Sequence, residues 1–294
     1  MSHKEKRFKA CILRLLTRKG PTSFDIKQAK KILFFRYDRI GDMIVTTPVF
    51  RELKLANPDV DITVLASKVN KDILVNNPYV NAVETNYKNN LFSDLFTLLK
   101  LRVKNFDVCV EFDHSVVPHA IIRLKIIKPK LIISVKKDGR YGVKGNELIL
   151  YDFYTERPKN AHFRDIWLSV LSPLGVLAKS KKYDLFLSKY EREKAQKFLS
   201  PFDKELKIGI NLEGSFQEKQ IQLKELREIC KGIHKGYQNI IIIILATPDH
   251  KLKIDNLLVE LGLDFVIPSY FSILDVSALI QQLDLIITPD TSIV

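Results

Sequence analysis

Arg36-Tyr37-Asp38-Arg39-Ile40-Gly41-Asp42 sets two arginines and two carboxylates within seven residues. That is a costly concentration of charge for a mere connector. A carboxylate can take a proton from a hydroxyl, and guanidinium groups bind anions through paired hydrogen bonds. The stretch therefore holds the residue types for an acid–base step on an acidic substrate. Asp42, directly after Gly41, is the candidate base. The competing reading is that Asp42 caps a helix N-terminus, as aspartate commonly does.

These residues need elements to hold them. Ile32-Leu33-Phe34-Phe35 is a short apolar run, the pattern of a strand buried on both faces of a parallel sheet. After the polar turn, Thr47-Pro48 reads as the start of a helix over Val49–Ala56, with Val49, Phe50 and Leu53 at helical spacing and Asn57-Pro58 as the stop. In an open α/β sheet a turn of this kind lies beyond the carboxyl end of a strand, where such folds bind ligands. Gly41 is expected to let the backbone turn sharply there.

Phe35–Asp42 followed by Thr46-Thr47-Pro48 resembles the N-terminal signature of glycosyltransferase family 9, the ADP-heptose:lipopolysaccharide heptosyltransferase group. The family's aspartate after the glycine is its proposed catalytic base, and the matching residue is Asp42. The resemblance also implies acceptor binding at Arg36, Arg39 and Gly41, because an aspartate is a weak base in water and the arginines suit an anionic acceptor better than they suit tuning of the base.

Three further segments carry the likeness in the same order. Gly209–Gln222 resembles a glycine-rich loop whose lysine, here Lys219, contacts the donor's phosphates; Ile221 and Gln222 stand where Trp and Pro are usual. Leu285–Ser292 resembles the family's strand followed by an acidic helix start. That likeness implies that Asp290, Thr291 and Ser292 bind the donor diphosphate at a helix N-terminus. Ser292 replaces the more frequent glycine, and Thr247-Pro248-Asp249 stands where the family is glycine-rich. His162 matches a family histidine in Asn160–Gly175, with capping or packing as its default role.

Length and composition fit two soluble α/β domains. The chain has 294 residues, is 46% hydrophobic and 28% charged, and contains no apolar run long enough to span a bilayer. Its start has charge on both sides of the apolar residues and no small-residue cleavage site, so it does not read as a signal peptide. Cys11, Cys109 and Cys230 are too far apart for a zinc or disulfide pattern, which suits a reducing cytoplasm. His114 and His119 lack a metal-site pattern, and no P-loop or G-x-G-x-x-G occurs.

The net charge of +13 is uneven: residues 1–20 hold seven Lys/Arg against Glu5. Phe8, Cys11, Ile12, Leu15 and Leu16 fall on one stripe beneath that basic face. Such a helix suits an anionic membrane surface; a helix packed on the protein's own body and a nucleic-acid contact are the alternatives. Beyond this segment no nucleic-acid motif occurs.

Strand and helix patterns alternate through residue 185. They include a short helix at Val69–Asn76, a helix at Leu91–Val103 with Leu91, Leu95, Leu98 and Leu99 on one side, the strand Phe106–Phe112, and a helix over Asn160–Gly175. Lys136–Asn146, with three glycines, reads as a mobile surface loop, either facing an anion or simply solvated. The pattern restarts near residue 186 with the strand Lys207–Leu212 and runs to Leu285–Thr288, shortly before Val294. The expected architecture is α/β of the GT-B type: two doubly wound Rossmann-like domains facing a cleft. Residues 1–29 form a basic segment, 30–185 the acceptor domain, and 186–294 a nucleotide-sugar domain read as incomplete, part of a longer protein.

The resemblance implies inverting transfer of a sugar from a nucleotide-diphosphate donor, ADP-heptose or another nucleotide-sugar, to a lipid-linked anionic glycan of the lipopolysaccharide-core kind. No metal or cofactor is expected, and the implied location is the inner face of the cytoplasmic membrane. The rival readings are a different hexosyl donor and a membrane-surface glycan-binding relative without catalysis.

Overall fold

The computed structural model describes residues 3–17, 19–20, 22–87, 90–214, 216–246, 254, 256, 265–268 and 272–289. The chain divides into two compact units, Met1–Leu185 and Phe186–Val294. The first is built on a six-stranded, wholly parallel sheet. Its strands are β1 (Lys31–Arg36), β2 (Asp61–Ser67), β3 (Ala82–Asn86), β4 (Val108–Glu111), β5 (Leu131–Val135) and β6 (Phe153–Thr155), in the order β3-β2-β1-β4-β5-β6. The helices are α1 (His3–Leu16), α2 (Ile40–Ala56), α3 (Leu91–Val103), α4 (Pro118–Ile127) and α5 (Phe163–Ser169).

Strand β1 is apolar at consecutive positions because both its faces are covered. Leu33 and Phe35 point with Cys109 and Ile132 into a cluster with Ala10 and Leu13 of α1, Leu98 and Leu101 of α3, and Ile121 and Leu124 of α4. Phe34 faces the other way, edge-on to Phe50 of α2 and stacked on Phe112. Helix α1 thus belongs to the first unit's core: Ala10 and Leu13 are buried while Ile12 and Leu15 are exposed. The inward face is not the stripe that the spacing suggested.

Three local expectations change. Helix α2 begins at Ile40 rather than Val49, so Gly41 is helical instead of forming a sharp turn, and Pro48 lies inside the helix. A mid-helix proline removes a donor, which would leave the Ile44 carbonyl short of a partner. The Thr47 hydroxyl donates to that carbonyl at 2.8 Å, and Thr46 donates to the Asp42 carbonyl at 2.7 Å. The Thr47 hydroxyl makes the proline tolerable. The stretch 69–76 holds only a 3-10 turn, Lys71–Leu74, and Asn160–Gly175 holds the short α5 followed by a second 3-10 turn, Ser172–Leu174.

The second unit repeats the plan. Strands β7 (Leu206–Asn211), β8 (Ile240–Leu245), β9 (Phe265–Val266) and β10 (Leu285–Ile287) run parallel in the order β10-β7-β8-β9. The helices whose bounds lie within the described residues are α6 (Lys189–Leu199), α7 (Leu223–Gly236) and α8 (Ile273–Ile280). Four of the five consecutive isoleucines of β8 divide between two cores: Ile242 and Ile244 meet Leu226 and Cys230 of α7, and Ile241 and Ile243 meet α6 and α8. The helix expected at Ile254–Leu261 lies mostly outside the described residues.

The same clamp recurs at the amino edge of both sheets. Asp107, just before β4, accepts hydrogen bonds from the Lys30 and Lys31 N–H groups at 2.9 Å. Asp284, just before β10, accepts from Lys207 N–H at 2.8 Å. In each unit an aspartate thereby fixes the start of the first strand against the strand that crosses to its other side.

A buried network ties α2 to residues 179–184. Arg51 pairs with Glu52 and Asp184 and donates to the Ser180 and Lys182 carbonyls at 2.8 and 2.7 Å; Glu52 also accepts from Lys179 N–H at 2.6 Å. Replacing Arg51 by alanine leaves two buried carboxylates without their countercharge. Breaking a buried pair in this way costs about 3–5 kcal/mol. Arg51→Ala should therefore lower the urea midpoint of the first unit markedly. A change within experimental error would mean that the network contributes nothing to folding.

Candidate functional site

In the first sheet the strand order reverses between β1 and β4, and ligands of open α/β sheets bind outside the carboxyl ends of the strands at that switch point. The Arg36–Asp42 stretch leaves β1 there. Arg36 is almost wholly buried, its guanidinium carbon 5.1 Å from the centroid of the Phe112 ring and 4.9 Å from that of Trp167. Contacts of this kind favour a desolvated cation. Its nitrogens donate to the Asp42 carbonyl at 3.0 Å, the Asp38 carboxylate at 3.1 Å and the Asp42 carboxylate at 3.4 Å. Arg36 thus holds both the first turn of α2 and the carboxylate on it.

Asp42 stays reachable, with 43% of its side chain exposed. Its second oxygen lies 3.4 Å from the Arg39 N–H, so it also caps the helix start. Asn70, fully buried, donates to the Arg36 and Arg39 carbonyls at 3.0 and 3.3 Å, and the Ser67 hydroxyl donates to the Asp38 carbonyl at 3.2 Å. The loop is held from β2 as well as from within. Arg39 is exposed, and Gly41 is half-buried in the first turn of α2.

Strand β4 ends at the same switch point with charges of its own. Glu111 is buried, pairs with the equally buried Lys137, and accepts from Asp113 N–H at 2.6 Å and the Ser134 hydroxyl at 3.2 Å. Burial opposes ionisation of Glu111, but the Lys137 ammonium and these hydrogen bonds hold its carboxyl below the ordinary range. Asp113 goes the other way. Burial, the Glu111 charge, a hydrogen bond to Glu111 and the Asp38 charge push it up to about 9. One carboxylate is thus matched to one ammonium, and the second carboxyl keeps its proton.

Lys137 corrects the reading of Lys136–Asn146 as a mobile or solvated loop. Its ammonium is buried, and a Cβ at Gly145 would stand 2.1 Å from the Lys137 carbonyl oxygen, so only glycine permits that close approach.

In the second unit the order reverses between β7 and β10. Asn211, at the end of β7, donates to the Thr288 hydroxyl at 3.0 Å and the Glu213 carbonyl at 3.1 Å, joining the two strand ends. Lys219 closes a 3-10 turn in the following loop, exposed, with its carbonyl so near Gly214 that a Cβ there would lie at 2.5 Å. Asp290, Thr291, Ser292 and the Thr247-Pro248-Asp249 stretch lie outside the described residues.

The expected residues therefore fall into separate groups. Arg36, Arg39, Gly41 and Asp42 come together in the first unit, and Lys219 stands at the second unit's switch point. His162 caps α5, its Nδ1 accepting from Arg164 N–H at 3.1 Å. Among the described residues no group of three or more His, Cys, Asp or Glu is arranged to hold a metal ion. Glu111, Asp113, Lys137, Asn70, Asn211 and Thr288 had not been singled out. Glu111 carried a signal, an acid inside the otherwise apolar Val108–Phe112, which requires a buried cation nearby.

Comparison with known proteins agrees with this architecture. No family model matches the chain, and no curated protein matches it in sequence. Solved structures do match. A glycosyl transferase family 9 protein from Veillonella parvula aligns over 92% of this chain and 77% of its own, with 17% identity and a TM-score of 0.75. E. coli heptosyltransferase WaaC, solved with ADP, aligns over 90% and 82%, with 15% identity and a TM-score of 0.71. E. coli ADP-heptose lps heptosyltransferase II aligns over 90% and 80%, with 16% identity and a TM-score of 0.68. The chain has the fold of these proteins, two doubly wound α/β units of the GT-B type.

The proton on Asp113 has a measurable consequence. An unfolded aspartate ionises near ~3.9, whereas the folded value is about 9. Between those values the folded chain holds a proton that the unfolded chain has released. This group's contribution to stability must then fall as pH rises through that window, by at most about 1.4 kcal/mol per pH unit. Glu111 shifts the opposite way, its carboxyl held below the ordinary range by the Lys137 ammonium. Urea midpoints from pH 5 to 9 should decline in the wild type and decline less in Asp113→Asn. Parallel slopes would mean that Asp113 ionises in the ordinary range.

Proposed function

We propose that the protein is a glycosyltransferase that moves a sugar from a nucleotide-diphosphate donor to a hydroxyl of an anionic glycan. The observation that carries this reading is the Asp42 carboxylate, exposed yet aimed by the buried Arg36, at the switch point of a fold shared with solved heptosyltransferases. Asp42 takes the acceptor hydroxyl's proton as that oxygen attacks the anomeric carbon. The bond from that carbon to the diphosphate oxygen breaks, and the diphosphate leaves with the electron pair, inverting the configuration.

Arg36 acts in this reading as a positioning residue, since each of its three nitrogens donates to Asp38 or Asp42. Arg39 and Gly41, at the reachable start of α2, bind the acceptor. Lys219, with Asp290, Thr291 and Ser292, meets the departing diphosphate, cation and N–H groups offsetting its charge. That countercharge makes a metal unnecessary, so transfer should survive chelation.

Heptose is the proposed sugar and an ADP-linked donor the proposed form. Both are supported by the ligands of the similar structures, one solved with ADP and another with ADP-2-deoxy-2-fluoro heptose. A lipid-linked acceptor and work at the inner face of the cytoplasmic membrane complete the proposal. Among the described residues no helix is long and apolar enough to cross a bilayer.

Removing a positioned general base lowers rate by about 10²–10⁴-fold. Asp42→Asn should lose transfer to that extent while nucleoside diphosphate binding, followed by calorimetry, changes little. Arg36→Lys, which keeps the charge but not the planar fork, should lose part of kcat with KM for the donor nearly unchanged. Transfer by Asp42→Asn within a few-fold of wild type would remove Asp42 from the chemistry. Acceptor binding by a wild type that transfers from no nucleotide-sugar would favour the glycan-binding relative.

A further inference from the structure

The side of α3 marked by Leu91, Leu95, Leu98 and Leu99 is not the side that the helix buries. Leu98 and Leu101, next to Thr97, turn inward. Leu91, Phe92, Leu95, Phe96, Leu99 and Val103 are exposed, Phe92 at 89% and Phe96 at 73%. An apolar ridge of this extent along one surface helix marks an interaction site more often than a solvent face. The question is what covers it.

Charge decides between occupants. The exposed side of α3 also carries Lys100 and Arg102, while its one acid, Asp94, is turned onto Arg123 at 2.9 Å. Lys100 and Lys104 both reach the single carboxylate of Glu84, so the rim keeps a positive excess. A second copy of this chain meeting it about a two-fold axis would set the same basic patch against itself, within a chain already at +13. An anionic lipid surface meets both features at once, since the acyl boundary takes the Phe and Leu side chains and the headgroups take the cations. The neighbouring helices extend the same pattern. Helix α4 packs on α3 and α1 packs on α4, exposing Ile122 and Ile12 and Leu15 in the same layer.

We propose that α3 is the element by which this protein docks on an anionic bilayer, with Phe92 and Phe96 entering the interface and Lys100 and Arg102 facing the headgroups. The basic segment 1–20 then supplies long-range attraction, and α3 supplies the insertion. This deepens the membrane-bound part of the proposed function and does not depend on which sugar is transferred.

The test is flotation of the full chain with phosphatidylcholine vesicles, with and without phosphatidylglycerol. No donor or acceptor is present, so the outcome is separable from that of the Asp42 experiment. Wild type should float with the anionic vesicles and less so at high salt. F92S/F96S should lower partitioning at least about tenfold with an unchanged thermal midpoint, because both side chains already face solvent. In Phe96→Trp, brominated lipid should quench fluorescence beyond the background of the buried Trp167. Undiminished binding by F92S/F96S, or no quenching in Phe96→Trp, overturns the proposal. So does a wild type that ignores vesicles and sediments as a dimer that F92S/F96S converts to monomer, since the face would then join two copies.

Discussion

A guanidinium packed against two aromatic rings is the constraint on which the first unit's site depends. Arg36 ends β1, Phe112 follows β4 and Trp167 lies on α5, so one side chain gathers three elements. A buried cation must be satisfied, because its desolvation is costly when unmatched. Asp38, the Asp42 carboxylate and the Asp42 carbonyl satisfy it. The geometry of Asp42 is therefore part of what stabilises the core. Removing Arg36 would disturb packing and orientation together, which is why its lysine variant discriminates better than alanine.

Around that hub the charges are matched rather than merely numerous. Asp38, Asp42, Glu111 and Asp113 share the carboxyl end of the sheet with Arg36 and Lys137. Four carboxyl groups crowd that end of the sheet, and the proton kept by Asp113 removes one of the negative charges. Lys137 reaches Glu111 only because Gly145 lets the loop after β5 close tightly over it. A conformational property of one glycine thus feeds the electrostatics of the site.

Local signals in the sequence exposed the architecture well, and non-local ones poorly. Continuous apolar runs such as Ile32–Phe35 and Ile240–Leu245 announced strands covered on both faces, and alternation with helices announced parallel sheets. The start of α2 was misjudged because Thr47-Pro48 has the look of a helix entry; the hydroxyl that replaces the missing donor is visible only once the backbone is in place. Lys137 was one basic residue among several in a glycine-rich loop, and its partner lies 26 residues earlier. The resemblance pointed directly to Asp42. The supports of Asp42, Asn70 and Ser67, are too ordinary in type to be noticed before their contacts are seen. Helix α3 misled in another way, since leucines and phenylalanines surround it and periodicity alone does not say which face the core takes.

The twin aspartate clamps have a consequence for how such a chain can change. Asp107 and Asp284 fix strand register at the amino edge of each sheet, while the switch-point groups lie beyond the opposite edge. A one-residue slip would move every side chain to the opposite face of the sheet, and the clamp guards against it without touching the loops at the carboxyl end. Each sheet is thus divided into an end that conserves its own alignment and an end free to diverge. The loops beyond the carboxyl ends can change by substitution in either unit with no renegotiation of strand pairing, and each unit can do so on its own.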